Sequence, residues 1–220
     1  MVRPRSVAHQ TDSPADGSAP RGAVVVYFAK APRAGEVKTR LSPPLRPQEA
    51  AALYRAFLAE VVRPVPGATA LVYGWPGDAL DEIRGLAGEV EVRPQEGPDL
   101  FTRMENCCAE LFAEGFGPVM IRNTDSPDLP MERVQEGLAA SATGRVVFGP
   151  DFGGGYYLIS LSEERPELFR GLPEGQDSVY AKSLRVAKDL GLEVVELARE
   201  RDVDTFDDLI AMWRARSPGD

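Results

Sequence analysis

Lys30, Arg33, Lys38 and Arg40 crowd into one short stretch, AKAPRAGEVKTRL, of a chain whose formal charge is -9. The cluster therefore does not mirror bulk composition. It follows the run VVVYF, so several cations leave one strand end on a loop that Pro32 and Gly35 bend. Such a loop, with free backbone N–H groups, suits a diphosphate or triphosphate. The spacing is not the phosphate-loop pattern GxxxxGK[ST], and a solvated loop whose cations pair with some of the 34 acidic residues is the plain alternative.

Two further loops carry carboxylates. PVMIRNTDSPDLP brings an apolar run to Asp125, where an oxygen ligand at a strand end can share Mg²⁺ or Mn²⁺ with phosphate oxygens. Asp128, with Pro130, reads as the start of the next helix. VVFGPDFGGGYYLIS sets Asp151 before Gly153, Gly154 and Gly155, and then Tyr156 and Tyr157. Glycines there let the backbone approach a sugar, base or acceptor on which a tyrosine stacks, or form a plain turn. In RERDVDTFDDLIAMW, Asp207 and Asp208 fit the first turn of a helix capped near Thr205, which leaves Asp204 as a second metal-ligand candidate.

Other residues exclude more than they offer. The one histidine, His9, falls in a Pro/Ser/Ala/Gly-rich stretch, so no Ser-His-Asp triad, Cys-His pair or His-ligated zinc is expected. Cys108 belongs to a helical apolar stripe with Phe101, Met104, Leu111 and Phe112, and Cys107 lacks a neighbouring cation to activate it. Net negative charge argues against binding nucleic acid or anionic lipid, and no apolar run approaches a bilayer span or a secretory signal. A cytoplasmic protein is expected. Trp75, before a Pro-Gly turn, can stack on a base but more often covers a sheet edge; Trp213 is expected to pack on the core. Gln176 and Asp177 open the penultimate helix, with Asp177 as its cap.

Positioning these residues requires strands at 24–29, 69–73, 117–122, 145–149, 156–161 and 193–195, and helices at 47–62, 99–115, 130–140, 176–190 and 205–215. Leu53, Phe57 and Val61 give the first helix its buried stripe. The alternation predicts one α/β domain over 23–216 with a largely parallel sheet, following a disordered tail at 1–22. Ligands then bind beyond the carboxyl ends of the strands, where these loops lie. A small domain of this kind often dimerises through an edge.

In order, FAKAPRAGEVKTRL, DLFTRM, TDSPDLP, GPDFGGGYYLIS and DVDTFDDL resemble small bacterial GT-A-type transferase-like proteins. That family was first grouped as a domain of unknown function and in part assigned to arsenosugar biosynthesis as glycosyltransferases. The resemblance runs from about Gly22 to Met212. It implies a nucleotide-diphospho-sugar transferase (Rossmann-like) fold, a single mostly parallel mixed sheet with helices on both faces. The KTRL and DVDT segments are similar to those of 2-phospho-L-lactate guanylyltransferases and molybdenum-cofactor nucleotidyltransferases. By resemblance, Lys30, Lys38 and Arg40 contact nucleotide phosphates, Asp125 is the main metal ligand and Asp204 lies near the metal.

Two positions depart from the family pattern. Gly153-Gly154-Gly155-Tyr156 stands where members commonly carry Asp-Gly-Gly-Tyr, so Asp151 is the nearby carboxylate left to act as base. Asn123 replaces a glycine, and its side chain narrows the nucleotide pocket or bonds within it. The expected activity is Mg²⁺- or Mn²⁺-dependent transfer from a nucleotide-activated donor to a small-molecule acceptor, foremost glycosyl transfer from a nucleoside-diphosphate sugar. Nucleotidyl transfer from a nucleoside triphosphate to a phosphorylated small molecule, and a nucleotide-binding protein without turnover, are the alternatives.

Overall fold

The computed structural model describes residues 20–172 and 179–217. Seven strands form one sheet: β1 (Gly22–Lys30), β2 (Thr69–Trp75), β3 (Glu91–Pro94), β4 (Phe116–Arg122), β5 (Val146–Pro150), β6 (Tyr156–Leu161) and β7 (Val194–Glu196). Their order is β3-β2-β1-β4-β6-β5-β7. Every pairing is parallel except those of β6, which runs antiparallel to both β4 and β5. The expected mostly parallel mixed sheet is thus present, with β1 reaching back to Gly22, two residues before the predicted start.

Among the described residues six α-helices flank it: α1 (Pro47–Val61), α2 (Leu80–Ala87), α3 (Leu100–Ala113), α4 (Met131–Ser141), α5 (Val179–Asp189) and α6 (Phe206–Arg216). The sheet is buried on both faces, which is why β1 reads as an unbroken apolar run. Val25 and Tyr27 point into one core with Tyr54, Phe57 and Leu58 of α1. Val24 and Val26 point into the other with Met104, Cys108 and Leu111 of α3. Cys107 and Cys108 are both buried, and burial raises both thiol pKa values.

Four details differ from expectation. Helix α2 and edge strand β3 were not anticipated, because LDEIRGLA is only two turns long and EVRP is too polar to stand out. Trp213 is 57% exposed, since α6 lies on the surface with no fully buried residue. Asp128 does not cap α4, whose N-cap is Pro130; it accepts from Arg216 Nε at 2.6 Å. Leu53 is only partly buried, and Tyr54 joins Phe57 and Val61 in the stripe. His9, Gln176 and Asp177 lie outside the described residues.

Candidate functional site

The carboxyl ends of β1 and β4 are stitched together by hydroxyls. Tyr54 Oη of α1 accepts the Lys30 backbone N–H at 3.1 Å and contacts Thr124 Oγ1 at 2.8 Å, and Thr124 donates to the Phe28 carbonyl. Burial pushes the Tyr54 phenol up to about 12, so it stays protonated as a fixed donor. The segment before α6 is drawn to the same edge: Leu197 and Glu200 N–H bond the carbonyls of Phe148 and Pro150, and Val203 N–H bonds that of Asp125 at 2.9 Å. Asp202 and Asp204 consequently arrive beside Asp125.

Lys38 links these elements. Its Nζ lies 2.6 Å from Asp125 Oδ1 and 3.1 Å from Asp204 Oδ1, and its side chain is 4% exposed. Burial opposes the charged amine, but the two carboxylates outweigh it and the pKa is raised, so Lys38 is an ammonium. Its backbone is left-handed, with φ 48° and ψ 38°, the one positive φ of a non-glycine among the described residues. Such a conformation costs free energy and recurs at functional sites. Arg40 is exposed and pairs with the other oxygen of Asp204. Lys30, Lys38, Thr39 and Arg40, facing Asp125 and Asp204, enclose a niche of about 210 Å³.

That niche adjoins a larger cavity of about 1000 Å³ through Arg40, Asp125 and Asp204. Asp151, Asp202 and Asn123 also line the cavity. Asp202, two residues before Asp204 and unmarked by the sequence, sits deep: Ser126 Oγ donates to its Oδ1 at 2.5 Å, and Asn123 also bonds it. Burial, against the Ser126 bond and together with the charges of Asp125 and Asp151, pushes its pKa up to about 7. Asp151 is buried too, which raises its pKa, while the N–H groups of Gly155 and Gly153 oppose the rise. Gly155 N–H reaches Asp151 Oδ1 at 2.8 Å, and a Cβ at Gly155 would stand 2.7 Å from Asp151 Oδ2. Only glycine permits that grip.

Of the predicted residues, the structure brings together Lys30, Lys38, Arg40, Asn123, Asp125, Asp151, Gly155, Tyr156 and Asp204. Lys30 stands at the niche with its ammonium on the Glu36 carbonyl at 2.9 Å. Two predicted residues fall outside. Arg33 turns away to Glu82 of α2, Nη2 to Oε1 at 2.9 Å, with Asp78 at 3.8 Å. Gly154 does not line the cavity; with φ 87° it makes the turn, and its carbonyl accepts the Tyr180 N–H at 3.0 Å. Trp75 is partly buried beneath the Arg103 guanidinium, 4.4 Å from its ring centre.

Arg122 is the largest fully buried side chain, 2% exposed. Its Nε donates to the Asn123 carbonyl at 3.2 Å and an Nη to that of Ser126 at 3.3 Å, with the Tyr27 ring 5.4 Å away. It thus pins the turn that carries Asp125. No sequence signal marked it, because an arginine ending an apolar strand is usually solvated.

Hard carboxylate oxygens of this kind suit Mg²⁺ or Mn²⁺, which keep positions for water and phosphate. No set of three His, Cys, Asp or Glu side chains converges as a closed cage among the described residues. No helix there is long and apolar enough to cross a membrane.

Comparison with solved structures sets this geometry among related folds. A protein of Desulfovibrio desulfuricans, named as a candidate nucleotide-diphospho-sugar transferase, is 31% identical with a TM-score of 0.85, over 91% of this chain and 90% of that one. A nucleotidyl transfererase fold of Methanothermobacter, the nucleotidyl transferase Mth528, matches with a TM-score of 0.60 at 13% identity, over 86% and 95% of the two chains. A cytidylyltransferase of Leptospira borgpetersenii matches at 0.57 and 12% identity, over 91% and 89%. These last two share the fold. No curated protein matches the chain. A family model matches residues 57–176, and the chain belongs to that family, described as uncharacterized protein conserved in bacteria (DUF2064).

Proposed function

We propose that the protein is a divalent-metal-dependent transferase acting on a nucleotide-activated donor, foremost moving a sugar from a nucleoside diphosphate to a small-molecule acceptor. The observation that carries this reading is the buried Lys38 ammonium joined to Asp125 and Asp204 at the crevice between β1 and β4. Cation and carboxylates stand together there, as a metal–diphosphate pair requires.

Asp125 and Asp204 are the residues that would hold Mg²⁺ or Mn²⁺, and two carboxylates beside an open niche fit an ion that completes its shell with water and phosphate oxygens. Bound there, the ion supplies charge stabilisation to a leaving diphosphate. Lys30, Lys38 and Arg40 contact the phosphates, and Arg122 keeps the Asp125 turn in register. Asp151, gripped by Gly155, is the carboxylate that takes the role of base toward the acceptor hydroxyl in this reading, in place of the carboxylate missing at Gly153. The candidate nucleotide-diphospho-sugar transferase at 31% identity supports this reading, and within it the arsenosugar-type glycosyltransferases named by resemblance are the finer assignment. Nucleotidyl transfer, guanylyltransferase-like, is the second reading, favoured by the names of the fold neighbours.

A thermal-shift panel of nucleoside diphosphate-sugars against the matching triphosphates, with and without Mn²⁺, separates them, because a ligand of the native state raises the melting temperature by mass action. Stabilisation by one diphosphate-sugar only with Mn²⁺, lost in Asp125→Ala, is expected. Preference for a triphosphate supports the second reading, and silence throughout refutes both.

A further inference from the structure

Phe152 is 64% exposed, yet it stands on the wall of the large cavity, directly after Asp151. An exposed phenyl ring at a cavity mouth is solvent-facing apolar area with no structural return. The Arg201 guanidinium lies 5.6 Å from its ring centre, and Arg201 is itself held by Asp208 at 2.7 Å, so the ring is braced. Tyr156 and Val179 extend the apolar wall on this side.

Topology separates this wall from the basic niche. The β5–β6 turn belongs to strands on the far side of β4 from β1. At a strand spacing of about 4.8 Å, it stands roughly 10 Å from the loop that follows β1. The phosphate-binding cations therefore serve the other end of the cavity.

Charge narrows the ligand further. The two arginines lining the cavity are each engaged, Arg40 with Asp204 and Arg201 with Asp208. Among the described residues no ion pair reaches Asp151 or Asp202, and Asp125 already shares Lys38 with Asp204. A phosphorylated molecule on Phe152 would face the Asp151 carboxylate, while the Arg201 guanidinium beside the ring is already paired with Asp208.

We propose that the acceptor is an uncharged alcohol with an apolar alkyl or aryl body, which lies on Phe152 and presents its hydroxyl to Asp151. This rests on the glycosyl-transfer reading above. In the step, the acceptor hydroxyl proton passes to the Asp151 carboxylate as its oxygen bonds the anomeric carbon of the donor. The bond from that carbon to the diphosphate oxygen breaks, and the diphosphate leaves with the electron pair.

Isothermal titration of the full chain with hexyl β-D-glucopyranoside, D-glucose and D-glucose 1-phosphate tests the class without needing the donor. The hexyl glucoside is expected to bind at least tenfold more tightly than glucose, and glucose 1-phosphate no more tightly than glucose. Phe152→Ser is expected to weaken the hexyl glucoside at least fivefold and Phe152→Leu to restore it; the position is exposed, so both variants keep the fold. Tightest binding by glucose 1-phosphate, an unaffected Phe152→Ser, or no binding by the hexyl glucoside overturns the proposal. The nucleotide panel on the wild-type protein is read separately: silence there with the hexyl glucoside preference intact refutes the donor assignment and leaves the ligand class of this wall standing.

Discussion

Replacing Arg122 by methionine separates what a buried cation does for the fold from what it does for the site. Burial, with the like charge of Arg63, pulls the guanidinium down to about 10 from 12.5, against the help of Tyr27 and Asp202. At 1.36 kcal/mol per pKa unit, the folded state pays about 3 kcal/mol to keep it charged. Methionine removes that cost. It also removes the donor to the Asn123 carbonyl, a loss of about 1–3 kcal/mol, and a cation–π contact worth up to about 2 kcal/mol. The Ser126 carbonyl is not stranded, because it keeps the Leu129 N–H at 3.2 Å. These opposing contributions leave a net change within about 2 kcal/mol, readable by urea unfolding. The turn carrying Asp125, however, loses its anchor, so affinity for the stabilising nucleotide with Mn²⁺ is expected to fall at least tenfold by titration. A stability loss above about 4 kcal/mol, or unchanged nucleotide affinity, would refute the assignment of Arg122 as a positioning residue.

Lys38→Met leaves Asp125 and Asp204 facing one another without their ammonium. Because both carboxylates are 35% exposed, solvent softens the cost to about 1–2 kcal/mol in a thermal melt. Nucleotide affinity is expected to drop tenfold or more, while Mn²⁺ alone, followed by electron paramagnetic resonance, binds at least as tightly once its competitor is gone. Gly149→Ala places a Cβ 2.3 Å from Cζ of the buried Tyr157 ring, whose hydroxyl donates to the Ala198 carbonyl at 2.9 Å. Neither ring nor backbone has room to yield, and a loss of about 2–3 kcal/mol is expected by urea unfolding, with no dependence on added nucleotide.

The apolar strands and the amphipathic helices were legible because their burial is written in local periodicity, as in the VVVYF of β1. What escaped was set by tertiary partners. Arg33 belongs by spacing with Lys30, Lys38 and Arg40, but Glu82 of α2, the helix the sequence did not announce, and Asp78 of the turn before it take it away. Asp202 and Asp204 look alike two residues apart; only the bond from Ser126 and the packing against Asp125 show that Asp202 is the deeper. Trp213 follows Met212 around α6, so when Met212 packs inward the next residue points to solvent. Lys38 was legible as a cation but not as a buried one, since nothing local records that two distant carboxylates will close over it.

Strand β6 runs against its neighbours, and this has an evolutionary consequence. Its reversal folds the turn between Pro150 and Tyr156 back to the rim where β1 and β4 end, while the ladder beneath, Val147 to Ser160 and Phe148 to Ile159, stays fixed by its own pairing. Phe152 and Gly153, between Asp151 and the two glycines that shape its turn, are therefore the positions at the rim whose side chains can change without disturbing the loops after β1 and β4. Under the proposed acceptor assignment, an edit to this one hairpin changes the acceptor while the loops proposed for the donor are inherited intact.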